Sequence, residues 1–268
     1  MDRARGATLR WGMSEDRISY ERRGAAALLR LTRPERRNAV DGPTADALRA
    51  AFDRFVTDEG ARVLVLTGDR TAFSAGADLK AIETLRDRDE GPLGITRLHA
   101  PKPTIAAVTG YCVAGGLELA LWCDLRVAGE SAVFGCFERR WGVPLVDGGT
   151  QRLPRVVGLG RALEMILLGR AVGAREALGF GLVNAVVPDD RTLPTALEWA
   201  ELIASFPQET MLADREAAIR GLGLPLEEGL ALERRLGWAT VAVGRAGAAR
   251  FAAGQGRGGS GVPGLETR

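Results

Sequence analysis

The chain has 268 residues, room for one large domain or one domain with a small appendage. Its 46% hydrophobic and 26% charged content is that of a globular protein able to bury a sizeable core, and a formal net charge of only +2 argues against a broad nucleic-acid surface. One histidine, His99, and three cysteines, Cys112, Cys123 and Cys136, with no Cys-x-x-Cys pair, argue against a metal site and a disulfide framework and for a reducing, cytoplasmic setting.

No run of about 18 apolar residues predicts a membrane span. The opening MDRARGATLRWGM is basic but carries no apolar h-region, and residues 1–12 read as an extension ahead of start-like text at Met13. Ile18–Arg22 and Ala25–Leu31 read as strands of a hairpin turning at Gly24, followed by a polar turn over 32–41. Ala47, Leu48, Ala51, Phe52 and Phe55 have helical spacing, which predicts a helix over 44–56. Val63–Leu66 is a continuous apolar strand, 72–77 a loop, and Asp78 opens a helix running into Ile82 and Leu85.

Thr104–Val108 is a further apolar strand stopped by Gly110, 115–121 a helix, 124–128 a strand and 132–134 a short one. Apolar strands alternating with helices predict a largely parallel sheet with helices packed outside. From Gly149 the text turns helical, over 159–168, 174–180, 193–205, 208–221 and 226–251, with an extended segment at 182–187. The core is expected to span 13–206, a helical region 207–253, and a Gly-rich flexible tail 254–268.

Chemistry concentrates between Lys102 and Leu153. Glu118 and Glu138 stand in apolar surroundings, each close behind a glycine turn, so that backbone N–H groups and a carboxylate can face one small space. That pairing suits carbonyl chemistry, in which one group moves a proton while others hold a developing oxyanion. Taken alone, Ala75-Gly76-Ala77 is a tight strand-to-helix turn and Gly115-Gly116 a site of close helix packing. Neither belongs to a GxGxxG fingerprint, and no Walker lysine follows.

Five segments, in order, resemble the enoyl-CoA hydratase/isomerase (crotonase) superfamily: RPERRNAVD at 33–41, FSAGADLK at 73–80, KPTIAAVTGYCVAGGLELALWCDLRVA at 102–128, FGCFERRWGVPLVDGGTQRLPRVVG at 134–158, and GRAVGAREALGFGLVN at 169–184. The resemblance implies an α/β fold, a spiral of ββα repeats with a C-terminal helical region, assembled as a homotrimer or homohexamer. It also implies acyl-CoA thioester substrates and no cofactor, coenzyme A entering as part of the substrate.

By motif match, the amides of Ala77 and Gly115 form the oxyanion hole, and Glu118 and Glu138 are the catalytic pair. Glu118 is assigned the proton of the attacking water and Glu138 that of the α-carbon. Arg37, Ala39, Ser74, Ala75 and Lys80 are the implied CoA contacts. Retention of both glutamates favours hydration of a trans-2-enoyl-CoA. An enoyl-CoA isomerase, another acyl-CoA-processing member, or a non-catalytic acyl-CoA-binding protein are the alternatives.

The chain departs from the family pattern at Phe137, where proline is usual, and at Leu145-Val146-Asp147, where small residues precede the glycine turn. Asp147 reads as an extra acid/base, as the cap of the following helix, or as an ion-pair partner. Trp122, Trp141 and Leu145 either shape the acyl tunnel or belong to the core.

Overall fold

The computed structural model describes residues 17–256. The extension expected at 1–12 and most of the tail expected at 254–268 lie outside the described residues. The chain divides into two compact units, one ending at Ile203 and the other starting at Ala204.

In the first unit, β1 (Ile18–Arg23) and β2 (Ala26–Leu31) form the expected antiparallel hairpin. Helix α1 (Gly42–Thr57) begins where the Asp41 side chain accepts a hydrogen bond from Thr44 N at 3.0 Å. Its inward face carries Leu48, Ala51, Phe52 and Phe55, the spacing read from the sequence. Burying each of the larger side chains contributes about 1.5–3 kcal/mol. Strands β3 (Val63–Thr67), β4 (Ala72–Ser74), β5 (Thr104–Val108) and β6 (Tyr111–Val113) follow, then α2 (Gly115–Trp122), β7 (Leu125–Gly129) and β8 (Val133–Gly135). After them come α3 (Gly149–Val157), α4 (Leu159–Leu168), β9 (Val172–Gly173), α5 (Ala174–Gly179), β10 (Ala185–Val187) and α6 (Thr192–Ser205).

The strands form two sheets, ordered β1-β2-β3-β5-β7-β10 and β4-β6-β8-β9. Pairing is parallel from β2 to β10 in the first sheet, and from β4 to β8 in the second. The chain therefore visits the sheets in turn: β3 then β4, β5 then β6, β7 then β8, each pair followed by a helical segment. This is the spiral of ββα repeats that the resemblance implied. Both faces of β3 and β5 are covered, which is why VLVLT and TIAAV read as unbroken apolar runs.

Residues 72–77, expected as a loop, contain β4, and β6 was not anticipated. Three-residue strands are too short to show a period. The helix expected at Asp78 is a 3-10 segment, Leu79–Thr84, kinked at Ala81. In the second unit, α7 (Gln208–Gly221) matches expectation. The helix expected over 226–251 is split into α8 (Leu226–Ala239) and α9 (Val241–Ala252). Thr240 breaks it: its hydroxyl donates to Gly237 O at 2.9 Å and its backbone leaves helical geometry. No helix among the described residues is long and apolar enough to cross a membrane.

Candidate active site

A cavity of about 710 Å³ opens in the first unit, within the size range of a small-molecule site. Ala75, Ala77, Ala114, Gly115, Glu118, Glu138 and Asp147 line it.

The orientation of two amides follows from backbone geometry. Gly76 O accepts from Val40 N at 2.7 Å. A trans peptide sets its N–H opposite its C=O, so Ala77 N–H points away from Val40. Ala114 O accepts from Leu117 N at 2.9 Å and Glu118 N at 3.2 Å, inside α2. Gly115 N–H therefore points out of the N-terminus of that helix. Neither amide has a protein acceptor among the described residues.

The two loops approach closely because Gly76 has no side chain. A Cβ there would stand 2.4 Å from Gly115 N, and its φ of +83° is one that L side chains rarely adopt. Ala114 holds a φ of 52° without being glycine, a strained conformation at the mouth of the helix.

Glu118, on the first turn of α2, is 3% exposed. Its Oε1 accepts from Gly149 N at 2.7 Å and Asp147 N at 2.9 Å, while Oε2 has no protein donor among the described residues. Gly149 starts α3, so the carboxylate sits at a helix N-terminus. A Cβ at 149 would come within 2.9 Å of Glu118 Cγ and Oε1, so only glycine leaves room for this seat. Burial pushes the Glu118 carboxyl up to about 8; the Gly149 amide opposes the shift and the neighbouring Asp147 charge adds to it.

Glu138 lies in a 3-10 turn, Phe137–Trp141, and neither carboxyl oxygen has a hydrogen-bond partner among the described residues. Arg139 Nη2 stands 3.7 Å from Oε1, near enough for attraction and too far for a hydrogen bond. Burial raises its pKa, and the nearby Arg139 charge opposes the shift.

Among the described residues, the Asp147 side chain caps no helix and makes no ion pair at contact distance, although the Arg97 and Arg152 charges act on it. The cap position of α3 is Gly148, and Asp147 Oδ1 accepts from Leu93 N at 3.0 Å and from Thr96 Oγ1. Trp141 is 71% exposed and lines the cavity. Trp122 does not: its Nε1 donates to Leu98 O at 2.8 Å and its ring packs edge-on against Phe52, as a core residue. Leu145 also lies off this cavity, half-buried against the core.

Of the five implied CoA contacts only Ala75 lines the cavity. The Ser74 hydroxyl is engaged inside its turn, donating to Asn38 O at 2.8 Å and accepting from Gly76 N at 3.1 Å. Ala39 is buried, its carbonyl accepting from Arg33. Arg37 and Lys80 are exposed, with the Arg37 guanidinium 5.5 Å from the Tyr111 ring centre.

The apolar wall was read only in part. Leu79 and Ile82 of the kinked 3-10 segment and Leu85, the extended residue that ends it, line the cavity. Pro92 and Leu93, also part of this wall, lie in a loop that gave no period to detect. Asn38 was also missed. Its amide donates to Asp69 Oδ2 at 2.9 Å and Ala72 O at 2.7 Å, bracing β4; its φ of 54° is one that asparagine tolerates.

The enoyl-CoA hydratase/isomerase family profile matches residues 21–253. A probable enoyl-CoA hydratase of Rhizobium meliloti is 43% identical over 230 residues, 84% of this chain and 89% of that protein. The 2,3-dehydroadipyl-CoA hydratase of Escherichia coli is 40% identical over 231 residues, again 84% and 89%. Among solved structures, an enoyl-CoA hydratase of Mycobacterium marinum superposes with a TM-score of 0.84 at 33% identity, covering 89% of this chain and 96% of that one. The spiral fold, the paired glutamates on one cavity and these likenesses agree: the chain belongs to the enoyl-CoA hydratase/isomerase family.

Proposed function

We propose that this protein is an enoyl-CoA hydratase, adding water reversibly across the double bond of a trans-2-enoyl-CoA. The observation that carries the reading is that two buried carboxyl groups in different surroundings face one cavity also lined by the outward amides of Ala77 and Gly115.

In the hydration direction, Glu118 takes a proton from water as the water oxygen bonds to C3. The C2–C3 π electrons move toward the thioester, and its oxygen gains negative charge between the two amides. Collapse of that enolate draws a proton from the Glu138 carboxyl to C2. Fixed N–H donors stabilise such an oxyanion without reorganising, each at about 2.7–4 kcal/mol of barrier. The division of roles is supported by surroundings. Burial raises both carboxyls, but two amides of the 147–149 turn oppose that shift at Glu118, while the Glu138 carboxyl oxygens meet no hydrogen-bond donor among the described residues.

The backbone at Ala75 is assigned to the pantetheine arm, and the exposed Arg37 and Lys80 to the CoA phosphates. No cofactor enters this scheme. A homotrimer or homohexamer is inferred, supported by Leu159, Leu163 and Leu167, which expose one apolar stripe of α4 at intervals of four. Three free buried thiols support a cytoplasmic setting.

The direct test is ultraviolet absorbance of crotonyl-CoA mixed with the protein. Loss of the conjugated thioester band with formation of 3-hydroxybutyryl-CoA is the expected result. Conjugation of a 3-enoyl-CoA without hydration would replace the reading by isomerisation. Calorimetric binding with no turnover would replace it by a non-catalytic acyl-CoA binder.

A further inference from the structure

Asp147 stands where three elements meet. Its backbone N–H donates to Glu118 Oε1 at 2.9 Å. Its carboxylate accepts from Leu93 N at 3.0 Å and from Thr96 Oγ1. Arg152, one turn into α3, closes the assembly by donating to Asp147 O at 3.0 Å and to Thr96 O at 2.6 Å. The loop through Leu93, the turn at 147–149 and the Glu118 carboxylate are thus bonded through one residue, Asp147, by its side chain on one side and its backbone amide on the other.

We propose that Asp147 is a positioning residue for Glu118: its carboxylate anchors the 147–149 turn to the Leu93–Thr96 loop, so that both amides holding Glu118 Oε1 stay in place. The argument rests on the reading of Glu118 as the base. A turn of this kind, with glycines at 148 and 149, has little stiffness of its own. A catalytic oxygen displaced by about 1 Å can lose about 10²-fold in rate, so an anchor outside the turn has a kinetic consequence.

The anchor is also a charge beside Glu118. From the turn and α3, Asp147 and Arg152 face Glu118. From the segment before and within the 3-10 turn, Cys136 and Glu138 face it, while Arg139 faces Glu138 and Arg97 faces Asp147. Asp147 raises the Glu118 carboxyl through its charge, and removing that charge is expected to lower it.

The test compares D147A, D147N and T96V. Asparagine keeps an acceptor oxygen for Leu93 N and Thr96 Oγ1 but carries no charge. Expected are a loss of about 10²-fold in kcat for D147A with KM for crotonyl-CoA within about threefold, a loss under about tenfold for D147N, and a loss between these for T96V. Carboxyl ¹³C NMR of the free proteins is expected to move the Glu118 titration midpoint to lower pH in D147N.

Full kcat in D147A, a KM increase accounting for its whole loss in kcat/KM, or an unmoved midpoint in D147N would each overturn the proposal. Should D147A not fold, D147N and T96V decide. If the wild-type protein does not hydrate crotonyl-CoA, the functional reading fails, while the NMR titration still tests the link between Asp147 and Glu118.

Discussion

Glu118 and Glu138 face the same cavity from two differently built regions. The first rests on two helix starts: it belongs to the opening turn of α2 and is held by the opening amide of α3. The second sits in a short 3-10 turn with both carboxyl oxygens unbonded among the described residues and an arginine 3.7 Å away. Burial raises both pKa values, but only one carboxylate receives fixed donors. In the proposed hydration these supports separate the two tasks: Glu118, seated by two amides, takes the proton of water, and Glu138 delivers one to C2.

The sharpest way to break this comparison is E118Q. It is expected to lower kcat by about 10³–10⁴-fold with acyl-CoA affinity, read by calorimetry, little changed. Undiminished turnover would remove Glu118 from the chemistry. E138Q is expected to cost less, about 10²–10³-fold, because an amide still occupies the site but delivers no acid proton. A negligible loss there would favour a one-glutamate chemistry, visible as isomerisation of a 3-enoyl-CoA.

G149A attacks the seat while keeping the glutamate itself. The added Cβ meets Glu118 Cγ and Oε1 at 2.9 Å, so the carboxylate must shift. A fall of about 10–10²-fold in kcat with unchanged far-ultraviolet circular dichroism is expected.

The smallest effect is on stability. The folded Glu118 carboxyl titrates near 8 against an ordinary 4.5, so between these values the folded protein holds a proton that the unfolded chain has released. This favourable term is complete below the ordinary value and is lost as pH rises through the folded one. Glu138 and Asp147, also raised, contribute with the same sign. The thermal midpoint of the wild-type protein should therefore fall as pH rises from about 4.5 to about 8, and E118Q should flatten that fall in part. An identical slope in both would contradict the buried, raised carboxyl. In activity, the pH profile of kcat/KM should rise toward pH 8 as Glu118 ionises, and E118Q should abolish that limb.

Elements with a long period were legible in the sequence. The α1 stripe at Leu48, Ala51, Phe52 and Phe55, the apolar runs of β3 and β5, and the hairpin of β1 and β2 follow from spacing and composition, because each repeats its pattern over a full turn or several pleats. The spiral was reached by resemblance and not by periodicity, since β4, β6 and β8 have three residues each and carry almost no pattern. Asp78 was correctly read as a cap, accepting from Lys80 N at 3.1 Å, although the segment it opens is 3-10.

By itself the sequence determined which residues are available for the chemistry: two glutamates in apolar text, each behind a glycine turn, and five motifs in order. Tertiary structure alone decided which of the proposed pocket residues reach the cavity. Trp122 and Trp141 are equally apolar in the text, yet one is locked against Phe52 and Leu98 while the other stands on the rim. It also decided the role of Asp147, whose partners Leu93 and Thr96 lie some fifty positions earlier in the chain. Local spacing can fix a face or a turn, because those depend on a few neighbouring dihedral angles. The ionisation and anchoring of a buried carboxyl depend on donors brought together from distant segments, and only the folded chain brings them together.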